Sequence, residues 1–97
     1  MKKICIIKLG AAGDVLRTMP IARALKEKYS DSEIKWITKG DIADLMEGNP
    51  YIDKIFVLPS SPEERFDALY NFDLEKEACD LAERIEAEQK FGFYMQP

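Results

Sequence analysis

The feature that most constrains this chain lies at its start. Met1-Lys2-Lys3 leads into an unbroken apolar run, Ile4-Cys5-Ile6-Ile7, which closes on Lys8-Leu9 and meets at once the turn Gly10-Ala11-Ala12-Gly13, with Asp14 behind it. Consecutive apolar residues without alternation describe a strand buried on both faces, and such strands belong to parallel sheets covered by helices on two sides. A parallel neighbour is reached only by a crossover, so a helix is expected next.

The rest of the chain keeps that alternation. Val15, Leu16, Ile21, Ala24, Leu25 and Tyr29 form one apolar face among Arg17, Arg23, Lys26, Glu27 and Lys28, which fits an amphipathic helix. Pro20 sits in its second turn if Asp14 is the N-cap, so either the first turn is separate or the helix is kinked there. After the break at Ser30-Asp31-Ser32, Ile34, Trp36 and Thr38 alternate with Lys35 and Ile37 in a second strand. Gly40-Asp41 opens a short helix over Ile42 to Glu47, and Gly48-Asn49-Pro50 ends it. A third strand spans Lys54 to Leu58. A loop from Pro59 to Arg65 precedes a fourth strand at Ala68 to Phe72, and Asp73 can cap an acidic helix from Glu75 to Glu88. Phe91 to Tyr94 supplies a fifth strand, and Gln96-Pro97 ends the chain without a closing helix. The expected fold is α/β: a Rossmann-like doubly wound parallel sheet of about five strands in a single domain, residues 1–97, with the character of a part of something longer.

Composition removes several functions. With 14 Lys and Arg against 18 Asp and Glu among 97 residues, the net charge is −4, which lacks the basic field of a nucleic-acid binder. No run of about 18 apolar residues exists, and the apolar start is too short for a signal peptide, so a cytoplasmic protein is expected. Cys5 and Cys79 lie in different elements and read as small buried fillers, not a disulfide or a metal pair. The chain has no histidine, which removes the commonest general base and the commonest metal ligand together. No metal or cofactor is implied, and acid–base work falls to carboxylates or lysine.

Ligands of open parallel sheets bind beyond the carboxyl ends of the strands, where strand order reverses. That edge carries Lys8, the turn from Gly10 to Gly13, Asp14, Lys39 and Asp73. The turn has two glycines where a dinucleotide fingerprint has three, and no Walker lysine follows. Its glycines suit a close approach of backbone to ligand, and the following helix start offers N–H groups to an oxyanion. Asp14 has two readings, a helix cap and a general base. Lys8 reads as a strand-end lysine reaching solvent, Arg17 and Thr18 share the rim of Asp14, and Trp36, Phe56 and Phe72 read as core.

The string from Ile4 to Pro20, with its Lys8-Leu9-Gly10-Ala11-Ala12-Gly13-Asp14-Val15-Leu16-Arg17-Thr18-Met19-Pro20 core, resembles the opening of glycosyltransferase family 9, the ADP-heptose:lipopolysaccharide heptosyltransferases. Leu25 to Tyr29, Ile34 to Thr38, Asn49 to Asp53 and Phe66 to Asn71 are similar to that family's first domain in order and spacing. The resemblance implies part of the N-terminal, acceptor-binding half of a two-domain GT-B fold. A nucleotide-sugar donor would be held by a second, C-terminal domain. It also implies that Asp14 is the catalytic base of an inverting, metal-independent transfer. Lys8, Gly10, Ala11, Ala12, Gly13, Arg17 and Thr18 would line the acceptor side. The implied acceptor is a saccharide or a phosphorylated glycolipid such as a lipopolysaccharide core, and the implied location is cytoplasmic, at the inner face of the membrane. The alternative from another class is a stand-alone Rossmann-like binding or regulatory module in which Asp14 only caps a helix.

Overall fold

The computed structural model describes residues 1–92. Its elements follow in the order β1 (Lys2–Ile7), α1 (Ala12–Thr18), α2 (Pro20–Lys28), β2 (Ser32–Thr38), α3 (Gly40–Met46), β3 (Lys54–Val57), β4 (Phe66–Asn71), α4 (Lys76–Arg84) and β5 (Ala87–Gly92). The strands make one sheet, β3-β2-β1-β4-β5, in which every neighbouring pair is parallel. The chain steps outward from β1 to β3 and then returns to the far side of β1 for β4 and β5. Strand order therefore reverses between β1 and β4.

β1 is the centre of the packing because it has a neighbour on each edge and a helical layer on each face. Ile4 pairs with Ile34 on one side and Ala68 on the other, and Ile7 pairs with Ile37 and Asn71. Ile4 and Ile6 face Val15 of α1, Ala22 and Leu25 of α2, Ile42 and Met46 of α3, and Trp36 of β2. Cys5 and Ile7 face the other layer, with Ile37, Leu69, and Ala78, Leu81 and Ala82 of α4. This is why four apolar residues stand in succession: both faces of the strand are interior. The two cysteines are free and buried, and burial pushes the Cys5 thiol up, which keeps it protonated and inert.

Pro20 resolves the first helical stretch into two helices. It occupies the first position of α2, where a missing N–H costs nothing, and the Met19 N–H closes α1 on the Val15 carbonyl at 3.0 Å. The strands begin earlier than the apolar patterns suggest, at Lys2, Ser32 and Phe66, because parallel partners extend the ladders into polar residues. The acidic helix is shorter than expected. It ends at Arg84, and Glu88 belongs to β5, which starts at Ala87. Residues 93 and 94 of the expected fifth strand lie outside the described residues. Trp36 is fully buried, whereas Phe56 and Phe72 are only half-buried. No helix joins β3 to β4. Instead Glu64 from that connection accepts hydrogen bonds from Lys3 (3.1 Å) and Lys35, and these lysines hold its carboxyl below the usual carboxylate range against the opposing effect of burial. Asp53 has a similar clasping role: its carboxylate accepts from Lys26 Nζ and from the Ile34 N–H, each at 2.7 Å, and so ties α2 and β2 to the approach of β3. Among the described residues no helix is long and apolar enough to cross a membrane.

Gly92 closes the sheet at its last described position. It has φ +103°, and a Cβ placed there would lie 1.9 Å from the Asn71 carbonyl oxygen of the neighbouring strand. Gly92→Ala is expected to cost about 1–3 kcal/mol from backbone conformation alone and to release the end of β5 from β4. Urea unfolding and amide exchange along residues 66–71 and 87–92 test this; unchanged protection there contradicts the assigned pairing.

Candidate functional site

The carboxyl ends of β1, β2 and β4 converge at the reversal point, and three loops leave there: Lys8–Ala11, the Lys39 junction with α3, and Phe72–Glu75. Backbone hydrogen bonds carry the ladders to the last residue before each loop. Lys8 N–H donates to the Ile37 carbonyl at 3.2 Å and Phe72 N–H to the Ile7 carbonyl at 2.9 Å. The loops are thus set by a rigid edge, which favours a precisely held site.

Asp73 organises this edge. Its carboxylate, 7% exposed, accepts from the Leu9 N–H at 3.0 Å and the Glu75 N–H at 3.1 Å, and Lys8 Nζ stands 3.6 Å away. Its own N–H donates to Asn71 Oδ1 at 3.0 Å. Burial opposes ionisation of Asp73. The N–H groups of Glu75 and Leu9, the Lys8 ammonium and the Gly10 N–H outweigh that opposition and hold the carboxyl below its usual range. The sequence places Asp73 at this edge but assigns it to capping α4, and the structure corrects that. Glu75 is the N-cap residue and has no side-chain cap bond, while Asp73 ties the loop after β1 to the loop after β4. The cap reading failed because an aspartate before a helix and an aspartate facing a neighbouring loop look alike in one dimension.

Lys8 is corrected as well. Its side chain is 12% exposed and turned to Asp73, not to solvent. Lys39 pairs with Glu75 at 3.2 Å, and that carboxylate raises the lysine above its ordinary value. This link between the loops after β2 and β4 was not foreseen.

Asp14 is not a helix cap. α1 starts at Ala12, its N-cap residue is Ala11 in extended conformation, and no side chain caps it. Asp14 stands in the first turn, 54% exposed, with the Arg17 guanidinium 3.4 Å away as its ion-pair partner. Arg17 is open to solvent at 84%. The Thr18 hydroxyl donates to the Asp14 carbonyl and is used within the helix. Ala11, Ala12 and Gly13 are exposed, so they form an open shelf beside Asp14. The glycines are not required in the way the turn suggested. Neither has a positive φ, Gly13 has empty space where a Cβ would be, and at Gly10 a Cβ would meet only the Ile42 side-chain tip at 3.3 Å. The expected site residues thus separate into an inner group, Lys8 and Gly10 against Asp73, and an outer group, Ala11 to Asp14 with Arg17 and Thr18.

A concavity of about 510 Å³ lies at the opposite edge, beside the starts of β4 and β5, among Ser61, Glu63, Glu64, Arg65, Arg84 and Glu86. It mixes both signs of charge and is remote from the carboxyl ends where parallel sheets place ligands.

No family model matches the chain. It is 33% identical to lipopolysaccharide heptosyltransferase 1 of Campylobacter coli over 57 residues, 59% of this chain and 17% of that protein. It is 29% identical to lipopolysaccharide core heptosyltransferase OpsX of Haemophilus influenzae over 95% of this chain and 30% of that protein. The chain therefore spans less than a third of the length of these curated relatives. A glycosyl transferase family 9 structure from Veillonella parvula superposes with TM-score 0.85 at 23% identity, over 96% of this chain and 32% of that one. S. aureus TarJ in complex with NADPH superposes with TM-score 0.65 at 18% identity, over all of this chain and 32% of that one. The Rossmann-like parallel fold is shared with both, and the sequence relationship is to heptosyltransferases.

The Asp73 clasp makes a pH prediction. Because its carboxyl is held below the usual range, the unfolded chain takes up the proton first as pH falls. Its contribution is complete above about pH 5 and is lost as pH drops through the lower folded value. Asp73→Asn is expected to cost about 2–4 kcal/mol at neutral pH and to cost less as the pH falls below 4. Urea midpoints of both proteins against pH test this; a pH-independent difference contradicts an ionised Asp73.

Proposed function

We propose that this chain, which resembles the heptosyltransferases of glycosyltransferase family 9, is part of the acceptor-binding half of an inverting glycosyltransferase. The observation that carries the reading is Asp14, an exposed carboxylate on the rim of the loop at the reversal point, in a sequence string shared in pattern with that family. In this reading Asp14 takes the proton of an acceptor hydroxyl as its oxygen forms a bond to the anomeric carbon of the donor sugar. The bond from that carbon to the nucleotide diphosphate breaks, and its electron pair leaves with the phosphate. Ala11, Ala12 and Gly13 offer a shelf without bulky side chains for the acceptor to approach, and Arg17 and Thr18 flank it. The donor, a nucleotide-activated heptose or similar sugar, would be presented by a second domain, and the acceptor is a saccharide such as that of a lipopolysaccharide core, at the cytoplasmic side of the membrane.

Because much of the rate gain comes from aligning two substrates, the 97-residue chain by itself is expected to transfer no sugar. Transfer by the purified chain, measured with a labelled nucleotide-sugar, overturns the two-domain reading. In a polypeptide that also carries a donor-binding domain, Asp14→Asn is expected to abolish most turnover. Its Arg17 pair is exposed, so stability should change by no more than about 0.5 kcal/mol. Turnover equal to that of the parent at unchanged stability removes Asp14 from the chemistry.

A further inference from the structure

The loop after β1 is where a Rossmann-like sheet ordinarily cradles a phosphate, using backbone N–H groups and a nearby cation. Here the Leu9 and Gly10 N–H groups of that loop, and the Lys8 ammonium, are already engaged from within the chain. The Asp73 carboxylate takes the Leu9 N–H at 3.0 Å, stands against the Gly10 N–H, and has the Lys8 ammonium at 3.6 Å. It is buried, and a second loop holds it in place through the Glu75 N–H and Asn71 Oδ1. The other cations of this edge are matched too: Lys39 by Glu75 at 3.2 Å and Arg17 by Asp14 at 3.4 Å. Three cations facing three carboxylates leave no net positive charge for an incoming anion.

We propose that Asp73 is an internal substitute for a ligand phosphate: a specificity-determining residue that closes the loop after β1 to phosphorylated ligands and nucleotides, so that this edge receives an uncharged, hydroxyl-bearing face of its ligand. A dianionic group entering here would have to displace a buried carboxylate from its donors or stand beside it unpaired, and both are costly in a poorly solvated crevice. An uncharged hydroxyl meets no such opposition. The assignment of that hydroxyl to a saccharide acceptor rests on the glycosyl-transfer reading; the exclusion of anions does not. S. aureus TarJ shares the fold and was solved with NADPH. Shared architecture does not carry a shared ligand when the cradle is filled from inside.

The test is a titration of the wild-type protein at low ionic strength with inorganic phosphate, ADP and NADPH, followed by the amide resonances of Leu9 and Gly10. No saturable shift is expected at either. The complementary variant is Asp73→Gly, which leaves the two N–H groups and Lys8 awaiting an anion. It should be destabilised, and formate or inorganic phosphate should raise its melting temperature saturably while leaving that of the wild type unmoved. Saturable phosphate or nucleotide binding at Leu9 and Gly10 in the wild type overturns the proposal, as does an Asp73→Gly protein whose lost stability no small anion restores. Should that variant not fold at all, the wild-type titration decides alone. Full turnover by Asp14→Asn would refute the glycosyl-transfer reading and leave this result untouched.

Discussion

Everything in this structure hangs on a strand that has no exposed side. Ile4, Cys5, Ile6 and Ile7 are fully buried, with β2 and β4 on their edges and helical layers above and below. Such a strand contributes burial of about 1.5–3 kcal/mol for each large aliphatic side chain, and it can present polar chemistry only where it ends. The polar groups that follow it, Lys8, the Leu9 and Gly10 amides and Asp14, are therefore gathered at one carboxyl edge by the same packing that makes the core. The site is a consequence of the core being closed everywhere else.

At that edge one buried carboxylate replaces what solvent or ligand would otherwise do. Asp73 meets the amide donors of the first loop, balances Lys8 and fixes the loop after β4, so two loops distant in sequence are tied to each other. Outside this clasp the edge is open: the shelf from Ala11 to Gly13 and the carboxylate of Asp14 face solvent. A rigid, charge-compensated inner wall and an exposed carboxylate on the rim form a division of labour consistent with holding a neutral group near a proton acceptor. The likeness to heptosyltransferases gives that arrangement a chemical direction, and the likeness to a protein solved with NADPH shows that the sheet alone does not.

The order of strands and helices was legible in the sequence, because apolar runs and amphipathic periods are local patterns. The β1 run, the alternation around Trp36, and the Gly48-Asn49-Pro50 stop each matched an element. The split at Pro20 was legible as one of two outcomes, and the fold selected two separate helices. Strand limits were less legible, since Lys2, Lys3 and Ser32 enter their strands only because a parallel partner offers backbone groups to them. Of the candidate site, the residues were legible and their partners were not. Asp14 read as a cap on local pattern and as a base by resemblance, and only the backbone at Ala11 removed the cap.

What the sequence by itself determined is the parallel α/β architecture, an acidic composition without histidine, and a string of residues akin to the heptosyltransferases. These follow from nearest-neighbour patterning, which needs no knowledge of what lies across the fold. Only the tertiary structure decided that Asp73 serves Leu9 and Lys8 as well as the Glu75 N–H at the start of its own helix, that Lys39 answers Glu75, and that Asp14 stands free of a capping role. The physical reason is distance along the chain. The Asp73 hydrogen bond to Leu9 spans 64 residues, and a carboxylate's partner at that separation is chosen by which strands the core packs side by side.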